Sequence, residues 1–167
     1  AIITEGVLAV KAYERQESAV SRLQANIMNV KSATDKHIDS LTKQASALQL
    51  TTRFSDEQII SGQAMLATFQ LNQGTIETLT PSLLDMVEAM RTSGDTTIDT
   101  EQAAKLMGKA MGSASDNIDG LATALRKNGV IMTEAQKAVF KTGTEAERTA
   151  TLVAIMNQNF GGAAVAA

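Results

Sequence analysis

The sequence has no cysteine, one histidine and one proline, and these shortages exclude several kinds of site. Without cysteine the chain can form no disulfide, no thiolate metal site and no cysteine nucleophile. A lone histidine, His37, leaves little from which to build a Ser-His-Asp triad. Neither a phosphate-binding loop nor a dinucleotide-binding fingerprint occurs. We therefore expect no catalytic, cofactor-binding or metal-binding residues, and no enzyme activity.

Strong positive charge is also missing. No run of Lys or Arg reaches three residues and the net charge is −3, so a phosphate-binding surface and direct nucleic-acid binding are not expected. The first five residues show neither a basic leader nor a signal-type apolar core. Because the chain starts without Met and ends in GGAAVAA, we expect it to be a piece of a longer protein.

Aromatic residues are few as well. One Tyr and four Phe stand against eight Met and many Ala, a composition that favours thin, closely packed helices over a sheet. We predict an all-α fold, with a long N-terminal helical arm over 1–50 and a compact bundle of about six short helices over 51–167.

In the arm, apolar or small residues recur at spacings of three and four, as on one face of a helix. They are Val20, Leu23, Ile27, Val30, Thr34, Ile38, Leu41, Ala45 and Leu48. The pattern predicts one long helix, or two helices in line with a break capped by Thr34. An arm that packs on its own domain is the favoured interpretation, and self-association as a coiled coil is the alternative.

After residue 50 the pattern changes to short helices with a cap residue at each start and a glycine at each end. The predicted helices are 55–71, 80–92, 100–111, 115–127, 133–141 and 144–160. Their predicted starts are Ser55 with Gln58, Thr80-Pro81, Asp99 or Thr100, Ser115, Thr133 with Gln136, and Thr144 with Glu147. Their predicted stops are Gly74, Gly94, Gly112, Gly129, Gly143 and Gly161.

Residues 58–76 carry no charge, which raises the question of a membrane segment. Five Asn and Gln residues interrupt the stretch and Gly74 ends it, whereas a spanning helix needs about 20 mostly apolar residues. Apolar side chains cover nearly the whole circumference of the predicted helix, as is usual for a central helix of a bundle. We therefore predict a buried central helix, with a partner-binding face as the alternative.

Two groups of polar residues resemble metal or acid-base sites. His37 lies between Asp35 and Asp39, but on a helix the two aspartates share a face that His37 does not. Asp85 and Glu88 lie one turn apart and could act as paired carboxylates. Because Arg91 follows at the same spacing, we interpret them as an ordinary surface stripe.

The segment SDNIDG over 115–120 has the Asp, Asn and Gly of a calcium loop. It lacks the ligand at the third position and has Lys127 where a bidentate Glu is needed, so we do not predict a calcium site.

A row of small residues at a spacing of four, Ala104, Gly108 and Gly112, is a possible helix-packing row. Such a row lets another backbone come close, as in GxxxG pairing. Glu101, Lys105 and Lys109 on the same helix favour an aqueous setting. We expect internal packing of the row rather than an intermolecular contact.

Five segments carry a family resemblance when taken in order. They are FSDEQIISGQAMLATF, TPSLLDMVEAM, DTEQAAKLMGKAM, LATALRKNGVIMTEAQKAVF and IMNQNFGGAA. The series, from about Leu48 to Ala164, resembles the helical domain of tail length tape measure proteins of long-tailed bacteriophages and prophages. A looser likeness extends upstream through AVKAYERQESAVSRLQ. The polar stretch over 91–100 and Asn128 depart from the family pattern.

The resemblance implies a structural role without catalytic residues. Tape measure proteins are long, largely helical chains in the lumen of the growing tail tube. They set tail length, bind tail assembly chaperones and tail tip components, and leave ahead of the DNA. The implied locations are the virion tail lumen and, during assembly, the host cytoplasm.

Within that role the arm could belong to the ruler, since a helix has a fixed rise of about 1.5 Å per residue. The compact domain fits a docking or initiation element, or one that refolds during ejection. Adaptable methionine-rich surfaces motivate the refolding hypothesis. The methionines concerned are Met65, Met86, Met90, Met107 and Met111.

Two other classes remain open. A membrane-active segment used in DNA ejection would require 58–76 to insert into liposomes. A helical interaction or scaffolding module unrelated to phage would be encoded by a free-standing gene.

Overall fold

The computed structural model describes residues 14–26, 35–112 and 118–167, and in these ranges the chain is helical with no strand. The all-α prediction is confirmed. The helices are α1 over 14–26, α2 Asp35–Gln49, α3 Asp56–Ala67, α4 Gln73–Thr92, α5 Thr100–Met111, α6 Ile118–Lys127, α7 Glu134–Thr142, α8 Glu145–Phe160 and α9 Ala163–Ala166.

Most helix starts follow from capping chemistry. Ser55, Asp99 and Thr133 each form a capping box, in which the cap side chain and the side chain three residues later bind each other's backbone N–H. Thr144 caps α8 by accepting a hydrogen bond from the backbone N–H of Glu147. These four predicted starts are confirmed. The starts predicted at Thr34 and Ser115 lie outside the described residues.

The predicted boundary between the first two short helices is wrong. α3 ends at Ala67, and α4 begins at Gln73 rather than at Thr80. The turn between them contains Gln70 in the left-handed region, at φ 58°. Asn72 then caps α4, because its side chain accepts a hydrogen bond from the N–H of Thr75 at 2.8 Å. Gly74 consequently lies in the first turn of α4 instead of ending a helix.

Pro81 therefore lies inside α4 and not at its first position. A proline there has no N–H to give to the carbonyl four residues earlier, which belongs to Glu77. The side chain of Gln44 on α2 donates a hydrogen bond to that carbonyl at 2.7 Å. α2 thus satisfies the backbone group that Pro81 leaves without its helical partner.

α3 occupies the centre of the fold, as predicted for the first half of the uncharged stretch. It packs against α2, α4 and α5, while α4 packs against α8 and α9. Ile59, Ile60 and Leu66 of α3 are fully buried. In the described part of the chain, no helix has both the length and the hydropathy needed to cross a bilayer.

The methionines do not form a surface. Met65 is partly buried, and the other four of the expected group are completely buried in the core: Met86, Met90, Met107 and Met111. The expectation of methionine-rich surfaces is therefore wrong, because these side chains fill space between α4 and α5 and their neighbours.

The described helices of the 1–50 segment contribute to the same core. Leu23 of α1 and Leu41 and Ala45 of α2 are completely buried in one cluster with the side chains of α3 and α4. Ile27, Val30 and Thr34 of the predicted seam lie outside the described residues. Whether this segment forms one long helix or two helices in line depends on residues 27–34, which also lie outside the described residues.

Candidate functional site

Side-chain hydrogen bonds connect α1 to the central helix. Asn26 donates to the backbone carbonyl of Ala64 at 2.7 Å, and Arg22 donates to the hydroxyl of Ser61 at 3.0 Å. Arg22 also lies 3.6 Å from a carboxylate oxygen of Glu101 on α5. The two hydrogen bonds and the ion pair come from residues on either side of the buried Leu23 in the sequence. α1 is therefore attached by both apolar and polar contacts.

The contact between α2 and α3 includes a completely buried glutamine. The Nε2 of Gln63 donates to the carbonyl of Leu41 and to the Oε1 of Gln44, each at 3.1 Å. The Oε1 of Gln63 is buried with no hydrogen-bond partner in the described part of the chain. The paired donor makes this contact specific, while the unsatisfied acceptor lowers the stability of the folded state.

The contact between α2 and α4 is also polar. Ser40 donates to the carboxylate of Glu77, and Gln73 donates to the hydroxyl of Ser40 at 3.4 Å. The side chain of Gln44 donates a hydrogen bond to the Glu77 carbonyl, as described above. We call the receiving surface the docking face; it consists of Ser61, Gln63, Ala64, Gln73 and Glu77.

The N-terminus of α3 adds a carboxyl pair beside α1. Gln16 donates to Asp56 at 2.5 Å. Burial raises the pKa of Asp56, and the neighbouring Glu57 raises it further. The hydrogen bond from Asp56 lowers the pKa of Glu57 more than burial raises it.

The groove beside this pair is open and of mixed charge. It has a volume of about 540 Å³ and is lined by Glu14, Arg15, Ser18, Arg22, Glu57 and Ser61. Charges of both signs lie close together along it, so it offers no concentrated field for an anion or a cation.

A second groove lies between the start of α4 and α8. It has a volume of about 480 Å³ and is lined by small, uncharged residues: Asn72, Gly74, Thr75, Thr78, Ala146, Thr149, Ala150 and Val153. At its edge Glu145 accepts hydrogen bonds from the Thr75 hydroxyl at 2.7 Å and the Asn72 N–H at 3.2 Å. This groove contains no titratable lining residue.

The predicted small-residue row divides into two parts. Ala104 and Gly108 are buried, and a Cβ added at Gly108 would lie 2.1 Å from the Cδ2 of Phe69. Gly108 therefore makes room for the Phe69 ring inside the molecule. Gly112 is the C-cap of α5, and within the described part of the chain an added Cβ there would approach only the backbone of its own helix, at 3.4 Å from the carbonyl of Lys109.

The surface interpretation of Asp85 and Glu88 is wrong. Asp85 is 8% exposed and accepts hydrogen bonds from the N–H of Gly162 at 3.1 Å and of Ala164 at 2.9 Å. Asp85 lies on α4, far from α9 in the sequence, and caps the N-terminus of α9. These charge-assisted hydrogen bonds compensate for the free-energy cost of burying the carboxylate. Glu88 is 6% exposed, with one oxygen 3.9 Å from Arg53 and the other buried without a partner in the described residues.

The remaining candidates do not form a site that the structure describes. His37 is half-buried and Asp39 exposed, while the side chain of Asp35 lies outside the described residues. Residues 115–117 of the calcium-like segment also lie outside them. In the ranges that the structure covers, no three metal-ligating His, Cys, Asp or Glu residues come together.

Sequence reasoning missed two residues that the central helix depends on. A Cβ at Gly62 would lie 2.7 Å from the Leu83 Cδ2, so this glycine allows α4 to approach α3 closely. The second residue is Gln63, one of the Asn and Gln residues that interrupt the uncharged stretch over 58–76. Since the helix around it is apolar on nearly all sides, a polar residue there had to be buried and needed a partner from another helix.

Comparisons with known proteins do not assign the chain to a family. No protein-family model matches the chain, no curated protein is significantly similar to it, and no solved structure matches its fold.

Proposed function

We propose that this chain is a structural component of a long phage tail, a fragment of the tape measure protein that sets tail length and takes part in assembly and genome delivery. The observation that carries the proposal is the ordered series of five motifs. Any one of them, being mostly Ala, Leu and Gly, is weak, and their common order makes the resemblance much stronger.

The helices agree with the motifs in their order. The first motif covers α3, the second lies in α4, the third covers α5, the fourth extends over α6 and α7, and the fifth ends α8 and enters α9. Each motif therefore lies in helical structure, although the second lies inside α4 and does not begin a helix. This agreement supports the proposal at the level of an all-helical chain.

In this proposal residues 1–50 act as an arm and 51–167 as a compact domain. The contacts of α1 and α2 combine side-chain hydrogen bonds, which water can replace, with the buried side chains of Leu23, Leu41 and Ala45, so release of the arm would expose apolar surface. A released arm could extend as a helix at about 1.5 Å per residue and join the ruler. The compact domain would bind tail tip or tail assembly chaperone proteins, in the host cytoplasm during assembly and then in the tail lumen.

The proposal gives the chain no catalytic residue and no cofactor. It is tested by mass spectrometry of tails purified from a strain that produces the particle encoding this chain. We expect its peptides at a few copies per tail, resistant to added protease in intact tails and released when DNA ejection is triggered. Absence of the peptides from purified, intact tails would contradict the proposal and favour a helical interaction module unrelated to phage.

A further inference from the structure

The contact of α1 and α2 with the remaining helices suggests how two copies of the chain can combine. We propose that the α1–α2 segment exchanges between two copies, so that α1 and α2 of one copy occupy the docking face of the other. This inference stands on the described contacts alone and does not depend on a role in phage tails.

The docking face is selective for the α2 sequence. The Glu77 carbonyl lacks its helical partner because of Pro81, and the side chain of Gln44 supplies a hydrogen bond to it at 2.7 Å. The buried Gln63 amide recognises Gln44 and the backbone at Leu41. A second copy presents the same α2, so it can make every one of these contacts in exchange.

The connection between α2 and α3 can serve as the hinge. The turn is held by the Leu48 carbonyl, which accepts hydrogen bonds from the backbone N–H of Thr52 at 3.0 Å and from its hydroxyl at 2.8 Å. Residues 50–54 contain neither Gly nor Pro, so the turn can straighten and continue α2 into α3 once the capping bonds between Ser55 and Gln58 are released. The buried Phe54, with the Arg91 guanidinium 5.0 Å from its ring centroid, anchors the end of the hinge.

Leu50 in this hinge offers an apolar contact for a second copy. Its side chain is 86% exposed, more than the other exposed large hydrophobic residues of the described chain, Ile131 and Val165. In an exchanged dimer the two hinges run beside each other, and the two copies of Leu50 can be buried in the new contact. The closed monomer leaves Leu50 in water.

Concentration sets the balance between the two forms. The closed monomer makes the docking contacts within one chain, at a high effective concentration, while the exchanged dimer makes the same contacts twice and adds the hinge contact. We therefore expect monomers in dilute solution and exchanged dimers after refolding at high protein concentration.

The test uses the absence of cysteine, which allows a single reactive thiol to be placed at will. Ser40 and Glu77 are hydrogen-bonded across the α2–α4 contact. One sample of S40C and one of E77C are mixed, unfolded, refolded together at high concentration and treated with a short bismaleimide. Exchange predicts a cross-linked product of twice the chain mass, joining one S40C chain to one E77C chain.

A second pair of positions provides the matched control. Thr75 and Glu145 are hydrogen-bonded between α4 and α8, at 2.7 Å, and both remain in one copy when α1–α2 exchanges. The T75C/E145C double variant should cross-link within one chain, while mixed T75C and E145C samples should give only collisional product. The proposal is overturned if the S40C and E77C mixture gives no more dimer product than this control mixture.

The hinge is tested separately. Replacing Leu50 by Ser should reduce the dimer fraction roughly tenfold in size-exclusion chromatography, because the buried hinge contact is lost. The exposed Leu50 does not support the closed fold, so the S40C/E77C double variant carrying L50S should still cross-link within one chain. The control I131S removes another exposed apolar side chain and should leave the dimer fraction unchanged. Equal effects of L50S and I131S would overturn the assigned hinge contact.

Discussion

At the scale of single residues, the most consequential side chain is the carboxylate of Asp85. Helix α9 has Gly162 at its N-cap position, in the left-handed region, with no side chain to cap it. Asp85, from the middle of α4, supplies the missing acceptor for two backbone N–H groups. The final turn of the described chain is thus held in place by one residue far away in the sequence.

Replacing Asp85 by Asn should therefore destabilise the protein. The amide keeps one acceptor oxygen but turns an N–H₂ group toward the second backbone N–H, so we expect a loss of about 1–2 kcal/mol in the free energy of unfolding. Urea unfolding gives the loss, and amide hydrogen exchange should show faster exchange at Gly162 and Ala164. The exposed Asp39, changed to Asn, is the control for charge; equal effects at both positions would contradict the capping role.

A second prediction at this scale concerns Asp95 in the polar loop after α4. The hydroxyl and the backbone N–H of Thr97 both donate to its carboxylate, and these bonds lower the pKa of Asp95. Because the folded pKa lies below the unfolded value of about 3.9, the stabilisation is present above that value and is lost as the pH falls through the folded pKa.

Changing Thr97 to Val removes the hydroxyl donor and should move the pKa of Asp95 upward, toward its ordinary value. The backbone N–H remains, so the shift should be partial. A carboxyl NMR titration measures it. The neighbouring exposed Thr96, changed to Val, should leave the titration of Asp95 unaltered, and an unchanged titration in T97V would disprove the assigned cause.

At the scale of helices, two glycines at a spacing of four, one inside α5 and one at its C-cap, have different roles. Gly108 lies against the Phe69 ring, while Gly112 only ends the helix. Replacing Gly108 by Ala forces the ring to move and should cost about 1–3 kcal/mol of stability through overpacking.

The matched variant is G112A, in which the added methyl meets only ordinary contacts with its own helix. Thermal unfolding of the two variants compares them directly. We expect a clear loss of Tm for G108A and little change for G112A. A similar loss in both would mean that the effect comes from removing glycine and not from the Phe69 contact.

Helix boundaries show how far sequence reasoning reaches. Local capping chemistry located the starts of α3, α5, α7 and α8, because each cap is complete within four residues. The start of α4 was missed because Pro81 is normally a first-turn residue, and its place inside the helix depends on Gln44, 37 positions earlier in the chain. A local pattern contains no information about such a distant partner.

In the candidate site, too, features that depend on local sequence can be predicted and features that depend on distant partners cannot. The apolar stretch identified α3 as the central helix, since a helix apolar all round can only be buried. The docking face could not be predicted, because a freed carbonyl on α4 and a buried amide on α3 both have their partners on α2. Asp85 and Glu88 were misassigned for a related reason: Arg91 suggested a local surface stripe, whereas their partners are α9 and Arg53.

At the scale of the whole molecule, the α1–α2 segment lies on the remaining helices through polar contacts at the docking face and through apolar side chains buried in the common core. In the tape measure proposal this segment is the part that extends and contributes length. Residues Val20 to Ala47 cover the end of α1 and nearly all of α2, and they amount to 28 residues, or four heptads.

The most direct test of the central claim is therefore tail length, measured by electron microscopy, after in-frame deletion or duplication of residues 20–47 in the parent gene. At about 1.5 Å per residue, we expect tails shorter by about 40 Å after deletion and longer by about 40 Å after duplication. Duplication retains every docking contact and so serves as the control for impaired assembly. Tails of unchanged length in both variants would contradict the claim that this segment belongs to the ruler.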